Sequence, residues 1–337
     1  MAVLAHSEQS QYFGLRPMDP MKDLSRVADL IEEAFADDLD RSGQNALREL
    51  RWLSRFKPIL WWITTFSPDH SDFLSGFVWE EDRKIVGNIT VNKTSLGSRR
   101  WLISNVAVSK AYRGRGIGRG LMYAGLELVS EYHGESVSLQ VRADNVPARR
   151  LYDSLNFQEI SGTAYLRFKR VPKVAEVPLP NGVTLRPHRF DTADARLAYN
   201  LASVTTSPIR QKEWPLRLSR FQLGSNEQLS SLFSQLLGGP ASAFWVVEDD
   251  HQHRFVGTLN ILPGVLGRNC RLELAVHPDW RGTLERPLIS RALNYLYPWR
   301  KREIEIKHPS DHVEAIQAYQ EFGCREDQTL IWMKRKM

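Results

Sequence analysis

The stretch VAVSKAYRGRGIGRGLM, Val106–Met122, sets four glycines and three arginines between one apolar run and the start of another. Glycine reaches positive φ and carries no Cβ, so such a cluster can aim several backbone N–H groups at one point. A helix opening directly behind it adds its own unpaired N–H groups and the positive end of its dipole, and together these attract anions. Spacing then separates the known anion loops. A Walker loop ends in Gly-Lys-Ser/Thr, which is absent. The dinucleotide pattern G-x-G-x-x-G fails from either start, because its last position falls on Arg119 or on Leu121. The flanks carry ordered strand and helix patterns, unlike a low-complexity Arg-Gly segment that binds RNA. What remains is Arg113-x-x-Gly116-x-Gly118, behind a strand pattern and at the head of a helix pattern.

Outward from this loop the chain repeats itself. GLRPMDPMKDLSRVADL near Leu15 is echoed by TLRPHRFDTADARLAYNL near Leu185, and RKIVGNITV by HRFVGTLNI. NVAVSKAYRG returns as ELAVHPDWRG, and NVPARRLYDSLNF as HVEAIQAYQEFGC, so Gly87 answers to Gly257, Arg113 to Arg281 and Tyr152 to Tyr319. Echoes in one order at a near-constant spacing mark two copies of one fold. Between them VPKVAEVPLPNG, with three prolines and a final Asn-Gly, reads as an extended connector. We therefore expect a first domain over residues 12–170, a linker over 171–182 and a second domain over 183–337. Within the first copy, helical spacing around Val27, Leu30, Ile31 and Ala34 precedes β-branched runs at Gly76–Trp79 and Ile85–Val91. Further strand patterns at Trp101–Val108 and Ser136–Arg142 bracket a helix pattern from Ile117 to Tyr132. Such alternation predicts an α/β (α+β) domain with a mixed sheet.

Composition narrows the class. The 337 residues are 42% hydrophobic, enough for a packed core, and the prior from length is two domains. The formal charge of +6 suits an anionic ligand; no nucleic-acid recognition motif or long basic stripe accompanies it. Cys270 and Cys324 are too few for a disulfide framework and are not spaced as a zinc site, so no metal is expected and a reducing, cytoplasmic setting is. No window approaches the ~20 apolar residues of a membrane span. Oligomeric state leaves no signature in the sequence.

The loop Arg113-x-x-Gly116-x-Gly118 after NVAVS resembles the GNAT superfamily, the acyl-CoA-dependent N-acyltransferases, whose pyrophosphate loop reads Gln/Arg-x-x-Gly-x-Gly/Ala. NVPARRLYDSLNF fits that family's second element at Asn145, Ala148, Tyr152 and Phe157, with Asn156 in place of a glycine. The resemblance implies two tandem GNAT-like domains, each with a mixed, mostly antiparallel central sheet flanked by helices, and acetyl-CoA or another acyl-CoA as cosubstrate. It implies that backbone groups of Val106, Ala107 and Val108 meet the thioester carbonyl and the pantetheine arm. It also implies that the loop of Arg113, Gly114, Arg115, Gly116, Ile117, Gly118 and Arg119 meets the pyrophosphate. Asn145 either contacts the pantetheine or caps its helix. Tyr152 falls where the family tyrosine stands near the sulfur, and is the expected catalytic acid. The glutamate that some members carry on the central strand is replaced by Leu102, which leaves a water relay, Glu80 or Glu81, or loss to bulk solvent before binding to remove the amine proton, the water relay being preferred.

The second copy departs from this pattern. Its loop reads Arg281-Gly-Thr-Leu-Glu-Arg-Pro287, without the later glycines and with a carboxylate at the helix start, which opposes CoA binding. We expect it to be degenerate. The acceptor is expected to be a primary amine, on a small metabolite or a peptide. LRWLSRFKPILWWITTFSPDHSDF, with Trp52, Trp61, Trp62, Phe66 and Phe73, is a candidate acceptor wall or core segment, and Asp37, Asp38 and Asp40 are candidates to attract a cation. The rival reading, which Leu102 favours, is a non-catalytic acyl-CoA-binding or regulatory module.

Overall fold

In a computed structural model, residues 14–34, 75–95, 97–222, 239–264 and 269–337 are described. They fall into two compact units. Unit 1 gathers the chain up to Gln140 with Pro147–Gln158 and Met333–Met337, and unit 2 gathers Val141–Val146 with Glu159–Trp332.

Unit 1 begins with β1 (Gly14–Pro17) and α1 (Pro20–Ala34), followed by β2 (Gly76–Glu81), β3 (Lys84–Lys93) and β4 (Arg100–Val108). Then come α2 (Ile117–Glu131), β5 (Ser136–Arg142) and α3 (Val146–Ser154). The strands pair in sequence order, antiparallel from β1 to β4 and parallel between β4 and β5. Leu24, Val27, Ala28, Leu30 and Ile31 recur at helical spacing on α1, and their stripe packs over Val78, Ile85 and Ala107. On the other helix, α2, Ile117 and Leu121 lie against β3 at Gly87. A Cβ built there would stand 2.9 Å from Ile117 Cγ2 and 3.0 Å from Leu121 Cδ1, so only glycine lets the helix approach.

Unit 2 repeats this plan. Its elements are β6 (Gln158–Phe168), β7 (Val183–Pro187), α4 (Thr192–Thr205), α5 (Pro208–Glu213), β8 (Ala243–Asp249), β9 (Phe255–Leu262) and β10 (Cys270–Val276). They continue with α6 (Glu285–Leu296), β11 (Ile304–Pro309), α7 (Val313–Glu321) and β12 (Arg325–Lys336). The order across its sheet is β12-β6-β11-β10-β9-β8-β7, with β10 and β11 parallel. One strand comes from outside the second repeat: β6, which closes the first repeat in sequence, pairs antiparallel with β11 from Thr163 with Pro309 to Phe168 with Ile304. In the segment 171–182, Val171, Val174 and Leu179 pack on this unit's core and Ser290 Oγ receives the Val177 N–H at 3.1 Å.

The duplication extends to individual ion pairs. In unit 1 Arg16 clamps Asp23 through Nη1 and Nη2 at 2.6 and 2.9 Å and reaches Glu80 through Nε at 2.8 Å. In unit 2 Arg186 clamps Asp194 at 2.7 and 2.8 Å and reaches Glu248 at 3.0 Å. Each bracket ties the first strand of a repeat to its first helix and second strand. Hydrogen bonds from Arg186 outweigh burial and hold the Asp194 carboxyl below its ordinary value. A depressed carboxyl contributes stability that is complete above the unfolded value and is lost as pH falls through the folded one. Arg186→Gln should therefore destabilise unit 2 by about 3 kcal/mol at neutral pH, because Asp194 stays buried without its partner. Chemical denaturation across a pH series should show that deficit narrowing below pH ~4, where the wild type loses the same pairing.

Candidate functional site

β4 and β5 are paired only from Arg100 with Ser136 to Ile103 with Leu139. β4 then runs on to Val108 against β3 alone, and its register with β3 shifts between Asn88 and Thr90. The residue that absorbs the shift is Asn105, at φ +52°. A bulge of this kind leaves one residue unpaired and re-aims the backbone beside it. Asn88 fixes it from below: fully buried, it donates from Nδ2 to Asn105 O at 3.0 Å, while its Oδ1 has no partner among the described residues. Val106, Ala107 and Val108 follow the bulge directly. Burial alternates among them, with Ala107 in the core and Val106 and Val108 half exposed.

After Val108 a single turn of 3-10 helix, Lys110–Tyr112, leads into the glycines. Gly114 and Gly116 both sit at φ +80°, and a Cβ at either would meet nothing within 4 Å. The demand there is conformational, not spatial. Gly116 is the N-cap of α2 and offers no side chain to close it, and Gly120 N–H, giving to Gly116 O at 3.0 Å, is the first that the turn pairs. The N–H groups of Ile117, Gly118 and Arg119 therefore open the helix without intrahelical partners, as the geometry of an α-helix requires. An anion is the natural partner for them.

The loop arginines are held within the protein. Arg113 Nε donates to Val108 O at 3.2 Å and braces the strand end, and Arg115 lies over the Tyr112 ring with Nη1 3.7 Å from Glu81. Arg119 donates to Ser154 Oγ on α3 at 2.9 Å. Gly118 faces Leu151 of α3 and Val108 of β4, so strand end, loop and α3 converge at one point.

Tyr152 is on the buried side of α3, against Phe157. Burial pushes its phenol up to about 12, so the hydroxyl keeps its proton at neutral pH and can donate. Asn145 immediately precedes α3 in the chain and groups with unit 2. Leu102 is half buried on β4 and offers no proton acceptor. Burial opposes ionisation of Glu80, but bonds from Arg16 and Arg26 outweigh it and hold the carboxyl below its ordinary value, which leaves it a poor base. Glu81 accepts from Trp79 Nε1 at 3.2 Å. Trp52, Trp61, Trp62, Phe66, Phe73, Asp37, Asp38 and Asp40 lie outside the described residues. Among the described residues no helix is long and apolar enough to cross a membrane, and no group of three or more His, Cys, Asp or Glu could hold a metal ion.

The corresponding segment of unit 2 keeps the frame and loses the cradle. Gly282 holds φ +81° like Gly114, but Leu284, at the place of Gly116, is a buried residue at φ −94°. β10 pairs with β9 without a register shift, so it has no bulge. Glu285, the first residue of α6, turns inward and accepts from His312. The sequence had drawn attention to the carboxylate. The bulge and Asn88, by contrast, were missed; their one signal was a polar residue inside the apolar run IVGNITV.

Residues 31–157 match the profile of the Acetyltransferase (GNAT) family. A mycothiol acetyltransferase of Corynebacterium aurimucosum is 28% identical over 134 residues, 37% of this chain and 40% of that protein. An N-alpha-acetyltransferase of Sulfurisphaera tokodaii is 33% identical over 94 residues, 25% of this chain and 56% of that protein. These matches thus cover about half of those relatives or less. The fold of a GCN5-related N-acetyltransferase from Sphaerobacter thermophilus superposes with a TM-score of 0.60 at 18% identity, covering 96% of this chain and 95% of that one. The bulged strand and the glycine loop both lie within the residues that match this Acetyltransferase (GNAT) profile.

Proposed function

We propose that unit 1 transfers an acetyl group from acetyl-CoA to a primary amine by direct attack on the thioester. The observation that carries this reading is the Asn105 bulge with the two left-handed glycines behind it, because together they leave backbone donors free at the helix start of unit 1, whereas unit 2 keeps only the first of those glycines and has no bulge. Acetyl-CoA, when bound, supplies an activated acyl carbon and a thiolate leaving group. The N–H groups from Gly114 to Arg119 would hold its pyrophosphate, and backbone groups of Val106, Ala107 and Val108 its pantetheine. Val106 N–H polarises the thioester carbonyl, where negative charge grows as the amine nitrogen bonds to the carbon. As the C–S bond breaks, Tyr152 passes its proton to the sulfur, and it recovers one from the new amide's nitrogen through water. With Leu102 where a carboxylate could stand on β4, and Glu80 of β2 committed to Arg16 and Arg26, neither of these two residues takes that proton directly.

The relatives named above are by name a mycothiol acetyltransferase and an N-alpha-acetyltransferase, and the second name fits an amine acceptor. A second reading, a non-catalytic acyl-CoA-binding module, rests on Leu102. The two are separated by thiol release from acetyl-CoA across a panel of small amines and peptides: turnover with any amine supports transfer, and CoA binding without turnover supports the module.

Three substitutions test the assigned parts. Tyr152→Phe should slow turnover by about 10²-fold or more while leaving CoA affinity near that of the wild type; an unchanged rate removes Tyr152 from the mechanism. Gly116→Glu should abolish CoA binding in calorimetry, whereas Gly116→Asn, which tolerates the left-handed region, should retain most of it. Asn88→Leu removes the bond to Asn105 O and should lower kcat/KM by about tenfold, by relaxing the bulge.

A further inference from the structure

The parallel strands of unit 2 also part, after Leu272 with Ile306. A cavity of about 840 Å³ opens at that end, and all of its lining residues belong to unit 2. Its volume is in the range of small-molecule sites. CoA is a poor candidate for it, given the lost glycine, the missing bulge and the inward carboxylate described above.

In place of the cradle lies a polar chain that unit 1 does not have. Glu285, 1% exposed, accepts from His312 Nε2 at 2.8 Å, and His312 Nδ1 lies 2.9 Å from Nε2 of His308, also 1% exposed. His308 lines the cavity. Burial, reinforced by the charges of His312 and Arg281, pushes it down to about 3, so it presents a neutral ring. Beside it, Arg281 lines the same cavity. Its counterpart Arg113 spends its Nε on Val108 O, whereas Arg281 Nε is buried without a partner among the described residues. An unmatched donor of this kind, buried in the wall of a cavity beside an ordered chain of hydrogen bonds, is the mark of a site completed by something else.

We propose that this cavity is a second ligand site, for a small hydroxylated oxyanion whose carboxylate or phosphate meets Arg281 and whose hydroxyl bonds to His308. A guanidinium pairs with either oxyanion through two N–H groups. A hydroxyl both donates and accepts, so it matches the free His308 nitrogen in either tautomer. Arg210 and Arg220 also face the cavity, and so do Glu159, Glu273 and Asp311. The charges of the wall therefore balance, and Arg281 with its buried Nε selects the anion. This site does not rest on the acetyl-transfer reading of unit 1.

The test is calorimetry on the full chain with D-glycerate and sn-glycerol 3-phosphate as probes, and ethanolamine as a cationic control. At least one anion should bind saturably at millimolar concentration or tighter, and which of them binds distinguishes carboxylate from phosphate. Arg281→Gln should weaken that binding by about tenfold or more, and His308→Phe should also weaken it, while CoA binding to each variant stays at the wild-type level. Arg281→Lys, which keeps the charge, should recover part of the loss. The proposal is overturned if neither anion binds, if ethanolamine binds in their place, or if Arg281→Gln binds the anion as the wild type does.

Discussion

Two parallel strands that stop pairing after Ile103 and Leu139 set the conditions for everything else in unit 1. Backbone polar groups inside a protein are almost always paired, so a strand that leaves its neighbour must either be solvated or present its groups to a ligand. Here the departure is aided by the bulge at Asn105, and the bulge is held by a buried amide, Asn88, that donates to the strand it distorts. Behind it the chain has no room to improvise. Gly87 admits α2 to the sheet, Arg113 pins the strand end, and the loop between them reaches the helix through two residues at positive φ.

The second repeat acts as an internal control on that argument. Apart from α5 it has the same order of described elements, the same Arg–Asp–Glu bracket, a glycine at Gly257 facing Leu288 and a buried tyrosine, Tyr319, in place of Tyr152. What it lacks is local: the bulge, the second left-handed glycine and a helix start free of its own anion. Folding therefore does not require those three features, since a sheet of the same plan forms without them. Their presence in unit 1 calls for an explanation other than stability, and backbone donors aimed at an anion provide one.

Much of this was legible in the chain. The loop was readable because glycine spacing reports φ directly, and the repeat because four echoes recur in order. The strands of the first copy fall within a few residues of their β-branched runs; α1 starts earlier than its apolar stripe because Pro20 is well suited to a helix's first turn. Other features were out of reach. Nothing local to TAYLRFKR says that its strand pairs with Ile304–Pro309, since the same alternation satisfies either sheet. Nor do Glu285, His308 and His312 announce one another: two are separated by four residues, but the third is a helix away and meets them only when α6 and β11 are packed.

That last group shows how a repeat can lose one site and keep the physics that made it. The N-terminus of a helix remains positive whatever its sequence, and burying it without an anion is unfavourable. In unit 1 that end is left for a ligand in the proposed mechanism. In unit 2 the chain supplies its own carboxylate, Glu285, at the first position of α6, and His312 holds it. A buried carboxylate in the first turn opposes a second anion at that helix start, yet the strands beside it still part, and the space between them remains. Arg281 keeps the position of the loop arginine, but its Nε has no partner among the described residues, and its side chain lines the cavity. Where unit 1 has its glycine loop, unit 2 thus sets a buried carboxylate and an unpartnered arginine Nε beside the parted strands.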